Sequence, residues 1–149
     1  ASLNDMIGAA LAAASEGEKR GEPAQAGMIS ERIAAALELA GDASGSDKAI
    51  AVASKVGTSV SALQSIPMAF AILHLSGGDP WQAALLSAVI GDDTDTIGAI
   101  ACGMAGAARG IAAIPADAWA LVRSVNHLDI DAAVDGLLRI RAKRGACGR

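Results

Sequence analysis

The chain has 149 residues, 52% of them hydrophobic, and a formal net charge of −4. That is enough chain to bury a sizeable core as one domain over residues 1–149, and the acidic balance argues against polynucleotide binding as the main task. Two cysteines make no disulfide scaffold, and the sequence contains neither a signal peptide nor a membrane segment, so the expectation is a cytoplasmic protein with no membrane partner.

Aromatic residues are scarce, with two Trp, one Phe and no Tyr, so the core must be built from Ala, Leu, Ile and Val. Runs of alternating β-branched or aromatic residues are few, and the expected fold class is all-α, a compact multi-helix bundle-like domain. Leu3, Met6, Ile7, Ala10 and Leu11 recur at helical spacing, and the polar stretch SEGEKRGEP ends that first helix at 21–23. Residues 29–40 form a second, with Ile33, Leu37 and Ala40 as its apolar stripe and Gly41 as its stop. The polar stretch 42–47 leads into a third that ends near Gly57. Pro67 fits the first turn of a buried helix. Asp79 and Pro80 read as N-cap and first residue of the helix leading to Gly91, and Pro115 as the first residue of another. The small-residue segment 97–108 is too short to span a bilayer and reads as a central buried helix, with close helix crossing at Gly103 and Gly106. Asp129 or Asp131 caps the last helix, which ends in the basic tail RAKRGACGR.

The chemistry concentrates at 91–96, Gly-Asp-Asp-Thr-Asp-Thr, where three carboxylates and two hydroxyls precede that apolar segment. Oxygen-only donors suit Mg2+, Mn2+ or Ca2+; Zn2+ prefers Cys and His, which are not clustered here. Residues two apart on a regular helix point about 200° away from each other, so Asp93 and Asp95 converge only if the run lies in the turn entering a helix, with Thr96 in its first turn. Such a segment supplies part of a six-coordinate shell, and further ligands must come from elsewhere. The plainer alternative is an Asp-rich N-cap with no metal. An EF-hand is excluded, because the chain turns apolar after Thr96. The haloacid dehalogenase type of Asp-Thr-Asp motif follows a buried strand, whereas 81–90 reads as helix.

The segment GDDTDTIGAIACGMAGAARGIAAIPADAW resembles the C-terminal signature of the ADP-ribosylglycohydrolase family: the acidic run, then Ala105-Gly106, Gly110, Ile114-Pro115 and Trp119 in the family's order. The resemblance is tightest over 57–119. It implies an all-α fold and a binuclear Mg2+ centre, with Mn2+ as a substitute, that cleaves the glycosidic bond between ADP-ribose and an acceptor on a protein or small molecule. By the same resemblance Asp93, Asp95 and Thr96 fall on metal ligands, and Asp92 on a capping or supporting position. The segment 57–66, GTSVSALQSI, resembles a glycine-led stretch lining the ADP-ribose cleft, which makes Gly57 and Thr58 substrate-binding candidates; Thr58 stands where many relatives place an aromatic. Family members are longer, and their N-terminal half supplies a Thr-Asp-Asp cluster and an early Glu. The acidic residues before position 91 are scattered, with no Thr-Asp-Asp among them. The chain therefore looks like a C-terminal half, with a complementary N-terminal half as a partner and no general acid or base of its own to assign. The alternative is a non-catalytic helical relative that binds ADP-ribose or serves a structural role.

The remaining suspects have plainer readings. His74 lies in an apolar helix and reads as a packed histidine; His127 lies in a loop. Cys102 reads as a small buried group and Cys147 as an incidental tail residue. The cations Arg139, Arg141, Lys143, Arg144 and Arg149 suit a solvated helix C-terminus.

Overall fold

The computed structural model describes residues 2–21 and 27–147, with the backbone alone for 144–147. Pro23 at the expected end of the first helix, the side chains of Arg144 and Cys147, and Arg149 lie outside the described residues. Among these residues there are eight α-helices, one 3-10 turn and no strand, so the fold is all-α. The chain forms two compact units, Ala1–Ile114 and Pro115–Arg149.

In the first unit, α1 (Leu3–Glu18) opens on a capping box: Ser2 Oγ accepts from the Asp5 amide at 3.1 Å, and the Asp5 carboxylate accepts from the Ser2 amide at 2.8 Å. Helix α2 (Ile29–Ala40) has no cap of its own at Met28. Glu18, the last residue of α1, supplies one by accepting from the Ser30 amide at 2.8 Å and the Ser30 hydroxyl at 2.9 Å. That carboxylate satisfies an orphan donor and sits at the positive end of the α2 dipole. Helix α3 (Ser46–Val56) ends at Gly57, which adopts φ +87°.

Helix α4 (Ala62–Leu75) is the centre of the unit. Every residue from 67 to 73 is buried, and it packs on α2, α3, α5 (Pro80–Val89) and α6 (Thr94–Arg109). A helix apolar on all sides must be covered on all sides. Pro67 corrects the expectation of a first-turn proline. The helix starts five residues earlier, where the Ser61 carbonyl accepts from the Gln64 and Ser65 amides. Proline there removes an intrahelical bond, and burial of the whole element offsets that loss. His74 sits half-buried on α4 with Nε2 2.9 Å from the Gly41 carbonyl, a packed histidine as expected.

More than half of the main core cluster is alanine, including Ala36, Ala40, Ala49, Ala69, Ala83 and Ala101, filled out by Val52, Met68, Ile72 and Ile97. A second cluster joins Ile7, Ile33, Phe70, Leu73 and Ala105. The expectation that 97–108 is the central buried helix does not hold. α6 buries the stripe Ile97, Ala101 and Ala105, and nothing lies within 4 Å of a Cβ built at Gly103 or Gly106. The close crossing is at Gly98, where a Cβ would stand 3.2 Å from Ser87 Cβ on α5. Alanine and glycine are nearly indifferent to which face turns inward, so the pattern did not fix the orientation of α6. Asp79 and Pro80 begin α5 as expected, Asp79 accepting from the Gln82 amide at 2.8 Å. The unit closes with the 3-10 turn Ile111–Ala113.

The second unit holds α7 (Ala116–Asn126) and α8 (Ile130–Cys147). Pro115 is the N-cap of α7, one residue before its expected place. His127 ends the helix in the left-handed region, and Asp129 accepts from the Ala132 amide at 3.3 Å at the start of α8. Arg123 reaches Asp131 at 2.6 Å and lies 5.7 Å from the Trp119 ring centroid. No helix among the described residues is long and apolar enough to cross a membrane.

Candidate metal centre

The acidic run forms the turn between α5 and α6. Gly91 and Asp92 both take left-handed backbone, φ +78° and +59°, which reverses the chain in two residues. Glycine does so freely, and aspartate is among the few other residues that tolerate it. The Asp92 carbonyl then accepts from the Thr94 amide at 2.8 Å, and α6 begins. Thr96 lies in the first helical turn, as expected. The break in helical geometry falls at 91–93, and the ψ of 53° at Asp93 puts non-helical backbone between Asp93 and Asp95, as expected.

Asp93 occupies the N-cap of α6, where an aspartate ordinarily accepts a hydrogen bond from an amide two or three residues on. Asp79 does this for α5, and Ser2 and Asp129 make the equivalent bonds at α1 and α8. Asp93 makes no such bond. Its Oδ2 is shielded from solvent and has no hydrogen-bond partner. A buried carboxylate oxygen without a partner costs about 1–3 kcal/mol or more, so a site that keeps one is arranged for something else. An oxygen held dry and free of donors is what a hard cation requires of a ligand. In donor chemistry and environment, Asp93 fits a metal ligand.

Asp95 and Thr96 stand exposed in the first turn of α6. Asp95 borders an open groove of about 390 Å3 between α5 and α6, whose walls include Ala84, Ser87, Gly98 and Cys102. The Cys102 thiol is half-buried, lies 3.5 Å from the Pro80 carbonyl, and has its pKa raised by burial. Asp92 is exposed. Among the described residues no three His, Cys, Asp or Glu side chains gather where one ion could bind them all. The run thus presents one shielded carboxylate oxygen, on the half-buried Asp93, and beside it two exposed oxygen-bearing side chains.

Gly57 and Thr58, expected to line a substrate cleft, lie directly against this turn. The Thr58 carbonyl accepts from the Asp93 amide at 3.0 Å, tying the end of α3 to the start of α6. Gly57 is favoured by its φ of +87°, which disfavours any other residue, and a Cβ there would displace the Gln64 side-chain amide from its present position. Gln64 Oε1 in turn accepts from the Ser59 amide at 3.1 Å. The backbone tie is not visible in sequence, because it joins chain positions 35 residues apart, and the contacts of Gln64 depend on the left-handed turn at Gly57, which spacing alone does not reveal. The signal was Gly57 itself, a glycine just past a helix with a polar residue seven places later.

This is an all-helical protein with an aspartate-rich helix entrance braced by a glycine-led turn. The model of the ADP-ribosylglycohydrolase family matches residues 1–147, and the chain belongs to that family. The uncharacterized protein YegU of Escherichia coli (strain K12) is 35% identical over 119 residues, covering 79% of this chain and 36% of YegU. The chain therefore spans about a third of the length of the curated relative it matches. No solved structure matches it.

Proposed function

We propose that the chain carries the metal-binding face of a hydrolase that cleaves the glycosidic bond between ADP-ribose and an acceptor on a protein or small molecule. Family membership supports the reaction class. The observation that carries the local assignment is Asp93 Oδ2, shielded and unpartnered at a helix entrance where Asp79, the aspartate at the same position of α5, makes an ordinary cap. Asp93, Asp95 and Thr96 are the residues that would hold Mg2+, or Mn2+ in its place. Bound there as a binuclear centre, Mg2+ would supply Lewis-acid stabilisation and a template for ribose hydroxyls and water.

The chain's own contribution is positional. The left-handed pair at 91–92 and the Thr58 carbonyl hold the Asp93 backbone, so its carboxylate is set before any ligand arrives. The first turn of α6 presents Asp95 and Thr96 on a rigid element. Three such groups leave most of a six-coordinate shell to be filled by water, substrate and further protein ligands such as those of a complementary N-terminal half. A second reading, a non-catalytic relative that binds ADP-ribose or serves a structural role, draws on the absence of a three-carboxylate cluster among the described residues.

The two are separated by metal binding. Mn2+ titration followed by electron paramagnetic resonance, in the chain and its Asp93→Asn and Asp95→Ala variants, should show a site that weakens in each variant. Binding unchanged by both substitutions, or none in the parent at millimolar Mn2+, would remove the metal assignment. In an assembly that turns over an ADP-ribosylated substrate, Asp95→Ala should abolish hydrolysis with helix content intact.

A further inference from the structure

We infer that Gln64 is a positioning residue for Asp93, acting through the turn at 57–59; the inference rests on the metal reading proposed above. Three contacts make the chain of action. The Gln64 amide fills the space that Gly57 leaves by having no Cβ. Its Oε1 accepts from the Ser59 amide at 3.1 Å, so the residues on both sides of Thr58 are held by one side chain. The Thr58 carbonyl, fixed between them, accepts from the Asp93 amide at 3.0 Å. Gln64 itself is anchored, because it lies in the first turn of α4 with its own amide donating to the Ser61 carbonyl at 2.8 Å.

Each link has a physical reason to be specific. Gly57 at φ +87° and ψ +157° has many other conformations open to it, so a glycine turn carrying a ligand-orienting carbonyl needs an external restraint. Gln64 is that restraint, supplying shape against Gly57 and an acceptor for Ser59 at once. The restraint matters because Asp93 makes no side-chain cap bond that would orient it locally. Its backbone direction is therefore set by the Thr58 carbonyl on one side and the left-handed pair Gly91 and Asp92 on the other. Supporting contacts of this kind, one step removed from a metal ligand, typically change metal affinity by about 10–100-fold when removed.

The test uses Gln64→Ala and Gln64→Glu in the chain. Alanine is a strong helix former and should leave α4 intact; glutamate keeps the length and the acceptor oxygen for Ser59. Hydrogen exchange in the metal-free protein should show the Asp93 and Ser59 amides exchanging about tenfold faster in Gln64→Ala, with the amides of α4 unchanged and protection restored in Gln64→Glu. Mn2+ affinity should fall about tenfold in Gln64→Ala and recover in Gln64→Glu. Unchanged protection at Asp93, or acceleration shared equally by all of α4, overturns the inference. So does Mn2+ affinity that ignores Gln64→Ala while falling in Asp93→Asn. If the parent binds no Mn2+ at all, the metal reading and the ligand-orienting role fall together, while the exchange data separately uphold or refute the mechanical link from Gln64 to Asp93.

Discussion

Replacing Asp93 with alanine sets two accounts of this residue against each other with opposite signs. If Asp93 is an ordinary N-cap, Asp93→Ala costs about 1 kcal/mol, the usual loss of a capping side chain. The structure argues for the reverse. There is no cap bond to lose, and the substitution removes a shielded, unpartnered carboxylate oxygen, a gain of about 1–3 kcal/mol. Against this stands the loss of a negative charge near the positive end of α6, about 0.5 kcal/mol. The net is a stabilisation of about 1.5 kcal/mol, which for a domain of this size raises Tm by roughly 3–6 °C. Urea unfolding at pH 7 with a chelator present measures it, with Asp79→Ala as the control that should lose about 1 kcal/mol, since Asp79 does cap. Added Mn2+ should then stabilise the parent and not the variant, by linkage to the folded state. If Asp93→Ala is as destabilising as Asp79→Ala, the carboxylate is a cap in solution and the argument for a held-open ligand is wrong.

Other predictions follow from single contacts. Gly98→Leu should destabilise by more than 1 kcal/mol because Ser87 Cβ already limits the approach of α5, whereas Gly103→Ala, facing open space in mid-helix, should stabilise by about 0.5–1 kcal/mol; thermal unfolding of both variants decides. The Asp5 carboxyl is held below its ordinary pKa by the Ser2 amide and then by the Ser2 hydroxyl, so its contribution to stability is present above the unfolded pKa and fades as pH falls through the lower folded value. NMR titration should show this, with Ser2→Ala moving the Asp5 midpoint up. Burial raises the Cys102 thiol pKa, so Cys102 should alkylate more slowly than a free cysteine at pH 8, a rate readable by peptide mass mapping.

The fold was legible where local rules and burial agree. The spacing of Leu3, Ile7 and Leu11, the stop at Gly41, and the Asp79–Pro80 start each specify one element, and each is present. Pro67 and α6 were misread for a common reason. At Pro67 tertiary burial outweighs a local preference, and in α6 the alanines and glycines express almost none, so only the packing of α4 and α5 chooses the face. Glu18 capping α2 was invisible because its partner Ser30 lies 12 residues further along the chain. At the site, the acidic run announced oxygen chemistry and its place at a helix entrance. Which carboxylate is dry, and that residues 57–59 brace it, depend on contacts 35 residues apart in sequence and could not be read from spacing.

Several of the local departures in this chain meet at the α5–α6 turn. Several helix entrances and exits use the expected device: Ser2, Asp79 and Asp129 cap, Gly41 and Gly57 terminate. Two departures meet at one turn, where Asp92 takes a left-handed backbone and Asp93 stands at a cap position without capping. Thr58 joins that same turn, its carbonyl accepting from the Asp93 amide. Local choices that each cost stability persist in a folded protein when something else requires the geometry they produce. Here that geometry is a carboxylate oxygen kept dry and free of donors at the positive end of a helix. The α6 dipole favours the carboxylate but opposes a cation, so a metal bound at Asp93 depends on the additional negative charge of Asp95 and of ligands from outside this turn. The expected consequence is that neutralising Asp95 weakens Mn2+ binding as severely as neutralising Asp93, although only Asp93 is shielded; a site that tolerates Asp95→Asn would place the second charge elsewhere.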